Sequence, residues 1–365
     1  MSTDTSIEWT DTTWSPVTGC DRISPGCDNC YALTMARRLK AMGQPRYQRD
    51  GNPRTSGPGF GVSIHPDAVN EPLSWRKPRR VFVNSMADLF HQDVDQAWIA
   101  DVFAVMAAAT GHTFQVLTKR HARMRHILND PAWVGQVRAR AIGKGLPADA
   151  WWWPISNVWL GVSVETQQWA DLRIPALLAT PAAVRFLSCE PLLGPVDLKH
   201  SVISMGSERG HGLTASFVHA GGCCEQQLHG INWVIVGGES GAKARPMHPD
   251  WARSLRDQCA AASIPFFFKQ WGAYLPVPVV DDPAFAGGRA YDNPLGGRSS
   301  ATIRERGPSR TFRSGPTRAM EPGDRSRRTW LLDADTIAVR VGKKAAGREL
   351  DGRTHDDYPT PVRSA

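Results

Sequence analysis

Val158–Glu165 reads VWLGVSVE, a continuous apolar run that ends on a carboxylate, and runs of this kind recur along the chain. The others are Arg80–Met86 (RVFVNSM), Thr113–Lys119 (TFQVLTK), Val184–Glu190 (VRFLSCE), Trp233–Glu239 (WVIVGGE) and Phe266–Gln270 (FFFKQ). Apolar residues at successive rather than alternate positions suit strands buried on both faces of a parallel sheet. Between the runs lie stretches with apolar residues at helical spacing, Gln96–Thr110, Trp169–Thr180 and Pro249–Ser263. Alternating strands and helices make βαβ units. A first strand near Thr12–Val17 brings the count to about seven, which predicts an α/β fold, a full or partial (β/α) barrel. The runs close on polar residues: Asn84-Ser85, Thr118-Lys119-Arg120, Ser163 with Glu165, Ser188-Cys189-Glu190, Glu239-Ser240 and Lys269-Gln270. Singly these read as turn and cap residues. Together they predict a functional face at the C-terminal strand ends.

The chain has 365 residues, enough for one large barrel or two modest domains. Met1–Thr13 has no apolar signal segment, and no run approaches the roughly 18–20 residues of a spanning helix. These features predict a cytoplasmic protein with no membrane partner, whose seven cysteines stay mostly reduced. The net charge is +8, but nine Arg and three acidic residues fall within Gly296–Arg328, so the charge describes a segment rather than the fold. Composition divides the chain into a barrel domain over 1–274, interrupted by a loop-rich insert near 199–230, and a flexible Arg/Gly/Pro-rich segment over 275–329. Residues 330–365 are expected to form a C-terminal segment packing on the barrel.

After the first strand, Thr13–Ala32 reads TWSPVTGCDRISPGCDNCYA, with cysteines spaced C-x6-C-x2-C. Gly19, Pro25 and Gly26 make the stretch turn-rich, and a helix is expected from near Cys30 to Ala41. Such a loop can bend Cys20, Cys27 and Cys30 around one metal centre, with backbone N–H groups donating to the sulfurs. Three ligands leave a position open, whereas structural zinc takes four. A [4Fe–4S] cluster with one free iron is the first reading; zinc closed by a histidine or by Cys189 is the alternative.

These segments carry a resemblance. Glu8-Trp9-Thr10, the three-cysteine loop, Ser85–Phe90 (SMADLF), GVSVE, SCEPLLG, GGESG, FKQWG and the late LDGRTHDDYP occur in order, covering roughly Ile7–Gly272 and the C-terminal end. In these the chain resembles the phage-derived three-Cys-motif family, which is in turn similar to radical S-adenosylmethionine (SAM) enzymes. The resemblance implies a barrel of the radical SAM type with two loop-rich inserts, a [4Fe–4S] cluster on Cys20, Cys27 and Cys30, and SAM across the strand ends. It implies cofactor contacts from Tyr31, Ser85, Asp88, Ser163 and Glu165, and substrate contacts from Lys119, Glu190, Glu239 and Lys269. It further implies an electron donor, a three-Cys-motif partner protein, and formation of a 5′-deoxyadenosyl radical for modification or repair of a substrate, nucleic acid among the candidates. Two departures stand out: the radical SAM spacing is C-x3-C-x2-C, and the Gly-Gly-Glu usual after the second strand is absent here.

Other features have plainer readings. Gly237–Gly241 (GGESG) lacks the residues of a phosphate loop. Cys189 and Cys259 read as core, and Cys223-Cys224 fall in the first insert. His65, His91 and His248 read as loop or surface histidines, and Trp151–Trp153 as packing. The Arg-rich segment suits either nucleic-acid phosphates or a solvated loop. Two function classes therefore stand: a radical-SAM-like enzyme, and a non-catalytic zinc-stabilised nucleic-acid-binding module.

Overall fold

The computed structural model describes residues 3–199, 230–281, 289–292, 298–300, 318–319 and 329–360. Cys223, Cys224 and most of the Arg-rich segment lie outside the described residues. Seven parallel strands hydrogen-bond in sequence order: β1 (Thr12–Trp14), β2 (Arg80–Val83), β3 (Thr113–Thr118), β4 (Val158–Ser163), β5 (Val184–Cys189), β6 (Trp233–Gly237) and β7 (Phe266–Gln270). The sheet curls into a half-barrel, with the two-residue strand Thr3–Asp4 antiparallel along the outer edge of β1. Helices fill the crossovers: α1 (Tyr31–Ala41), α2 (Gln96–Ala108), α3 (His121–Leu128), α4 (Pro131–Gly143), α5 (Gln167–Leu178) and α6 (Pro249–Ala261). Among the described residues, no helix is long and apolar enough to cross a membrane.

The strand runs look uniformly apolar because both faces are buried, yet each face has its own partners. Val81, Val83, Phe114, Val116, Leu160, Val162, Leu187, Val234, Val236 and Phe268 join the cluster that packs under the helices. The alternate residues Phe82, Trp159, Phe186, Trp233 and Phe267 make a second cluster on the concave side with Trp9 and Tyr358. Trp233 lies edge-on to Trp9, Trp159 and Phe267 at centroid separations of 6.2, 6.0 and 6.0 Å, a favourable ring geometry. At Gly161 a Cβ would come within 2.4 Å of the Phe186 ring, so this glycine makes room for the plug.

Further along the strands, the same inward positions turn polar: Asn84, Lys119, Ser163, Ser188, Glu190 and Lys269. The aromatic plug thus closes the N-terminal end of the half-barrel and leaves the C-terminal end for chemistry. The late LDGRTHDDYP stretch reinforces the closed end. Asp356 bridges Phe267, the Trp233 indole donates to the Asp357 carbonyl (2.8 Å), and Arg80 sits 4.4 Å over the Tyr358 ring. Tyr358 therefore spans from β7 to β2.

Residues 275–281 open the segment expected to be flexible, but β8 (Tyr274–Pro278) is a strand. It pairs antiparallel with β10 (Thr336–Arg340), which pairs in turn with β9 (Thr329–Leu331). Pro276 and Pro278 lack an N–H, and β8 lies at the sheet edge, where that lack is tolerated.

Candidate metal centre at the barrel mouth

The three cysteines follow β1 and turn across the C-terminal end of the half-barrel. Gly19 sets the turn: its φ is +88°, its N–H donates to the Met86 carbonyl (3.1 Å), and a Cβ would lie 2.3 Å from the Gly61 carbonyl oxygen. Cys20 follows directly. Pro25–Cys27 forms one 3-10 turn, with the Cys27 N–H donating to the Ser24 carbonyl (2.8 Å). Cys30 is the N-cap of α1, and the Ala32 and Leu33 N–H groups favour its thiolate, although burial pushes its pKa up overall. Burial, aided by the Asp88 carboxylate, pushes the Cys20 thiol up to about 12, opposed by the Arg120 guanidinium.

All three cysteines line a cavity of about 600 Å³, within the range that holds a cofactor-sized ligand. So does every other expected site residue except Glu165. Glu165 is fully buried instead. Its Oε1 accepts from Ser24 Oγ (2.7 Å) and pairs with Lys119 Nζ (2.7 Å), and its Oε2 accepts from Arg173 Nη1 (2.7 Å). The carboxylate thereby clamps the cysteine loop to β3 and α5 rather than facing the mouth. Asp88 lines the cavity, but its oxygens are fully engaged by the Phe90 N–H, Thr118 Oγ1, the Lys119 N–H and Arg120 Nη1. A carboxylate offers about four lone-pair sites, so a further ligand would have to displace one of these donors.

The other charged candidates are paired as well. Glu190 takes both carboxylate contacts of Lys269 (2.9 and 2.8 Å) and the Gln270 amide (2.9 Å). Glu239 is held by Arg245 Nη2 (2.6 Å), Arg245 Nε (2.9 Å) and Asn29 Nδ2 (3.0 Å), while Arg245 also donates to the Pro25 carbonyl (2.8 Å). This ties the GGESG turn to the cysteine loop. Three wall residues each keep one polar atom without a partner, Trp9 at Nε1 together with Asn84 and Gln270. Asn84 Oδ1 accepts from the Val17 N–H, which leaves Nδ2 unpaired; Gln270 Nε2 faces Glu190, which leaves Oε1 unpaired. Tyr31 donates to the Ser85 carbonyl (2.6 Å) while its ring stays 53% exposed at the rim.

Sequence reasoning missed three residues here, Asp21, Arg173 and Arg245, and placed Arg120 on the functional face only as one of the strand-end polar residues. Asp21 accepts from Thr55 Oγ1 (2.5 Å), Ser56 Oγ (2.8 Å) and His91 Nε2 (3.0 Å). His91 is no surface histidine. It is wholly buried, and its Nδ1 accepts from the Asp93 N–H, so the hydrogen sits on Nε2; burial and Arg120 hold its pKa below the usual value. His65 is also buried and meets Thr18 Oγ1 at 2.8 Å, whereas His248 caps α6 and meets Asp333 (2.7 Å). Cys189 packs with the helix-facing cluster, on the face of β5 opposite the cavity, so it cannot close a zinc site. Cys259 is core.

Gly26 lies against the clamp, where an added Cβ would meet Glu165 Cγ at 2.4 Å and Oε1 at 2.5 Å. Glu165 is fixed by its buried partners and cannot yield, so Gly26→Ala is expected to destabilise the fold by about 1–3 kcal/mol through overpacking. Urea unfolding followed by circular dichroism checks this; an unchanged midpoint would show that the loop shifts freely.

The chain belongs to the DUF5131 family, described as a protein of unknown function, whose model matches residues 4–359. No curated protein matches it. Among solved structures it is similar to spore photoproduct lyase complexed with dinucleoside spore photoproduct, at 10% identity and a TM-score of 0.36, covering 71% of this chain and 63% of that one. It is also similar to a cysteine-to-serine mutant of that lyase, at 12% identity and a TM-score of 0.37, and to a double mutant with bound AdoMet and dinucleoside spore photoproduct, at 9% and 0.36, with the same coverages. The match thus spans less than two thirds of the length of the lyase chains.

Proposed function

We propose that this DUF5131 protein is a radical-SAM-like iron–sulfur protein, with Cys20, Cys27 and Cys30 as ligands of a [4Fe–4S] cluster. The observation that carries the reading is the convergence of three free cysteines on one cavity at the polar end of a parallel half-barrel. The donor set fits the group: three soft thiolates and no fourth cysteine lining the cavity among the described residues. Spacing also favours a cluster over a single zinc. Around one tetrahedral zinc with Zn–S of about 2.3 Å, sulfurs lie about 3.8 Å apart. The only described ligand group with all atoms within 4.8 Å of one another is His248, Asp250 and Asp333, not the cysteines.

In this reading SAM lies between the cysteine loop and the strand ends, against Tyr31, Ser85 and Ser163. The cluster and SAM together supply one-electron cleavage of the sulfonium bond; the protein's part is to bind, orient and exclude water. Asp88 and Glu165 act on this site through the loop and Arg120, since their oxygens are engaged. Glu190 and Lys269, paired with each other, and Glu239, balanced by Arg245 behind it, line the cavity, and with Lys119 these three are the substrate-binding candidates. Asn84 Nδ2 and Gln270 Oε1, at the ends of β2 and β7, are buried without a partner, and a neutral ligand edge that brings an acceptor and a donor to the mouth, as a nucleobase does, would satisfy them. Reaction on such a substrate requires a one-electron donor as partner.

The test is iron and sulfide analysis of anaerobically reconstituted protein, followed by calorimetric titration with SAM. The expected result is a brown protein holding both elements, with saturable SAM binding that apo protein lacks. A colourless protein with stoichiometric zinc would overturn the reading in favour of a zinc-stabilised module.

A further inference from the structure

We propose that Arg120 is a positioning residue of this metal centre, donating a charged hydrogen bond to the Cys20 sulfur that places the thiolate and raises the reduction potential of the cluster. The inference rests on the iron–sulfur reading above. Cys20 is the ligand separated from the other two by six residues, and the turn that holds Cys27 and Cys30 does not hold it. Arg120 Nη1 lies 3.3 Å from Cys20 Sγ and 3.2 Å from Asp88 Oδ2, and Nη2 lies 3.4 Å from the Asp21 carbonyl. Asp88 is in turn fixed by Thr118 Oγ1 and by the backbone of Phe90 and Lys119. A chain of charge-assisted contacts therefore runs from the end of β3 through Asp88 and Arg120 to the sulfur. Its direction is fixed, because guanidinium is donor-only and never loses its proton.

A hydrogen bond to a cluster sulfur is one of the levers by which a protein sets the potential. One-electron reduction adds negative charge to the cluster, and a fixed cation at its sulfur stabilises the reduced state. The electron comes from an external donor, dithionite in the test, and no proton needs to move.

The experiment compares reconstituted wild type with Arg120→Gln, Arg120→Lys and Arg123→Gln, reading iron and sulfide content and the midpoint potential in a dye-mediated titration. Arg123 is a nearby control whose guanidinium contacts the Phe90, His91 and Val94 carbonyls and no sulfur. Arg120→Gln is expected to lower the reduction equilibrium at least tenfold, about 59 mV for one electron. Arg120→Lys should fall between it and wild type, and Arg123→Gln should match wild type. Should Arg120→Gln load too little iron for a potential to be read, its failure beside wild-type loading of Arg120→Lys and Arg123→Gln supports the assignment. Equal failure of all three variants, or equal potentials in all of them, overturns it. A wild type that takes up no iron and sulfide overturns both this assignment and the cluster reading; a loaded wild type with an unmoved Arg120→Gln potential overturns this assignment alone.

Discussion

Glu165→Ala is expected to cost about 3–5 kcal/mol of folding stability, because it strands a buried cation. Arg173 and Glu165 are both wholly inaccessible, and Nε and Nη2 of Arg173 already lack hydrogen-bond partners. Without the carboxylate, Arg173 keeps only the Ser163 carbonyl (2.8 Å) and the face of Trp169 (4.1 Å). Lys119 loses its anion and Ser24 its acceptor, so the damage reaches the cysteine loop. The same pair predicts an acid dependence. Burial pushes the Glu165 carboxyl up, but Lys119, Arg173 and the Ser24 hydroxyl together hold it below its ordinary 4.5. A group depressed on folding contributes stability that is present above its unfolded pKa and lost as pH falls through the folded one. Wild type should therefore lose stability on acidification below about pH 4.5 more steeply than Glu165→Gln, which has no carboxyl to titrate. Urea midpoints of wild type, Glu165→Ala and Glu165→Gln at neutral and acid pH measure both effects. A Glu165→Ala midpoint within about 0.5 kcal/mol of wild type, the ordinary range for surface changes, would refute the clamp.

That clamp also marks where the sequence was legible and where it was not. Six of the seven barrel strands begin at the residue where an apolar run begins, at Arg80, Thr113, Val158, Val184, Trp233 and Phe266. A strand buried on both faces leaves a continuous local signal. The runs overshoot at their ends, since Asn84, Glu165 and Glu190 lie past the last ladder pair. The two helices between β3 and β4 were not anticipated. Asp130 capping the N–H of Ala132 with Pro131 at the first helical position was a readable start signal for α4. β8 was hidden by Pro276 and Pro278, which read as loop unless the strand is known to be an edge.

The site divides in the same way. The cysteines and the strand-end polar residues were visible because each sits at a locally defined place, a turn or the end of a run. Whether a carboxylate there is open or engaged was not visible, since it depends on partners distant in sequence. Glu165 is eight residues from Arg173 but 141 from Ser24, and Arg245 reaches 220 residues back to the Pro25 carbonyl. Arg120 was visible as a strand-end residue but its partner was not: it sits beside Lys119 in an ordinary basic pair, and only the fold turns one side chain to Glu165 and the other to Cys20.

Cys27→Ala and Cys30→Ala are expected to abolish cluster loading, and the informative member of the series is Cys20→Ala. If the cavity holds a three-thiolate cluster, loss of any one ligand leaves two, too few to retain it, and iron should fall in all three variants to a small fraction of wild type. Cys20 is the severe case, because six residues separate it from Cys27 and its place depends on Gly19 and Arg120 rather than on the Pro25–Cys27 turn. The controls are Cys189→Ala and Cys259→Ala. Both thiols are fully buried in the helix-facing core, with pKa values raised by burial, and a buried thiol of that kind is an inert small hydrophobe. These two variants should keep their iron and sulfide while losing about 1 kcal/mol of stability to the small cavity left behind. Iron and sulfide per chain, with circular dichroism to confirm folding, read the whole series. Wild-type loading in a folded Cys20→Ala protein would remove Cys20 from the ligand set. Loss of iron in a folded Cys189→Ala protein would show that the strand face assigned to the core reaches the metal. Either result would require the cysteine loop to bind its metal in a geometry other than the one at the barrel mouth.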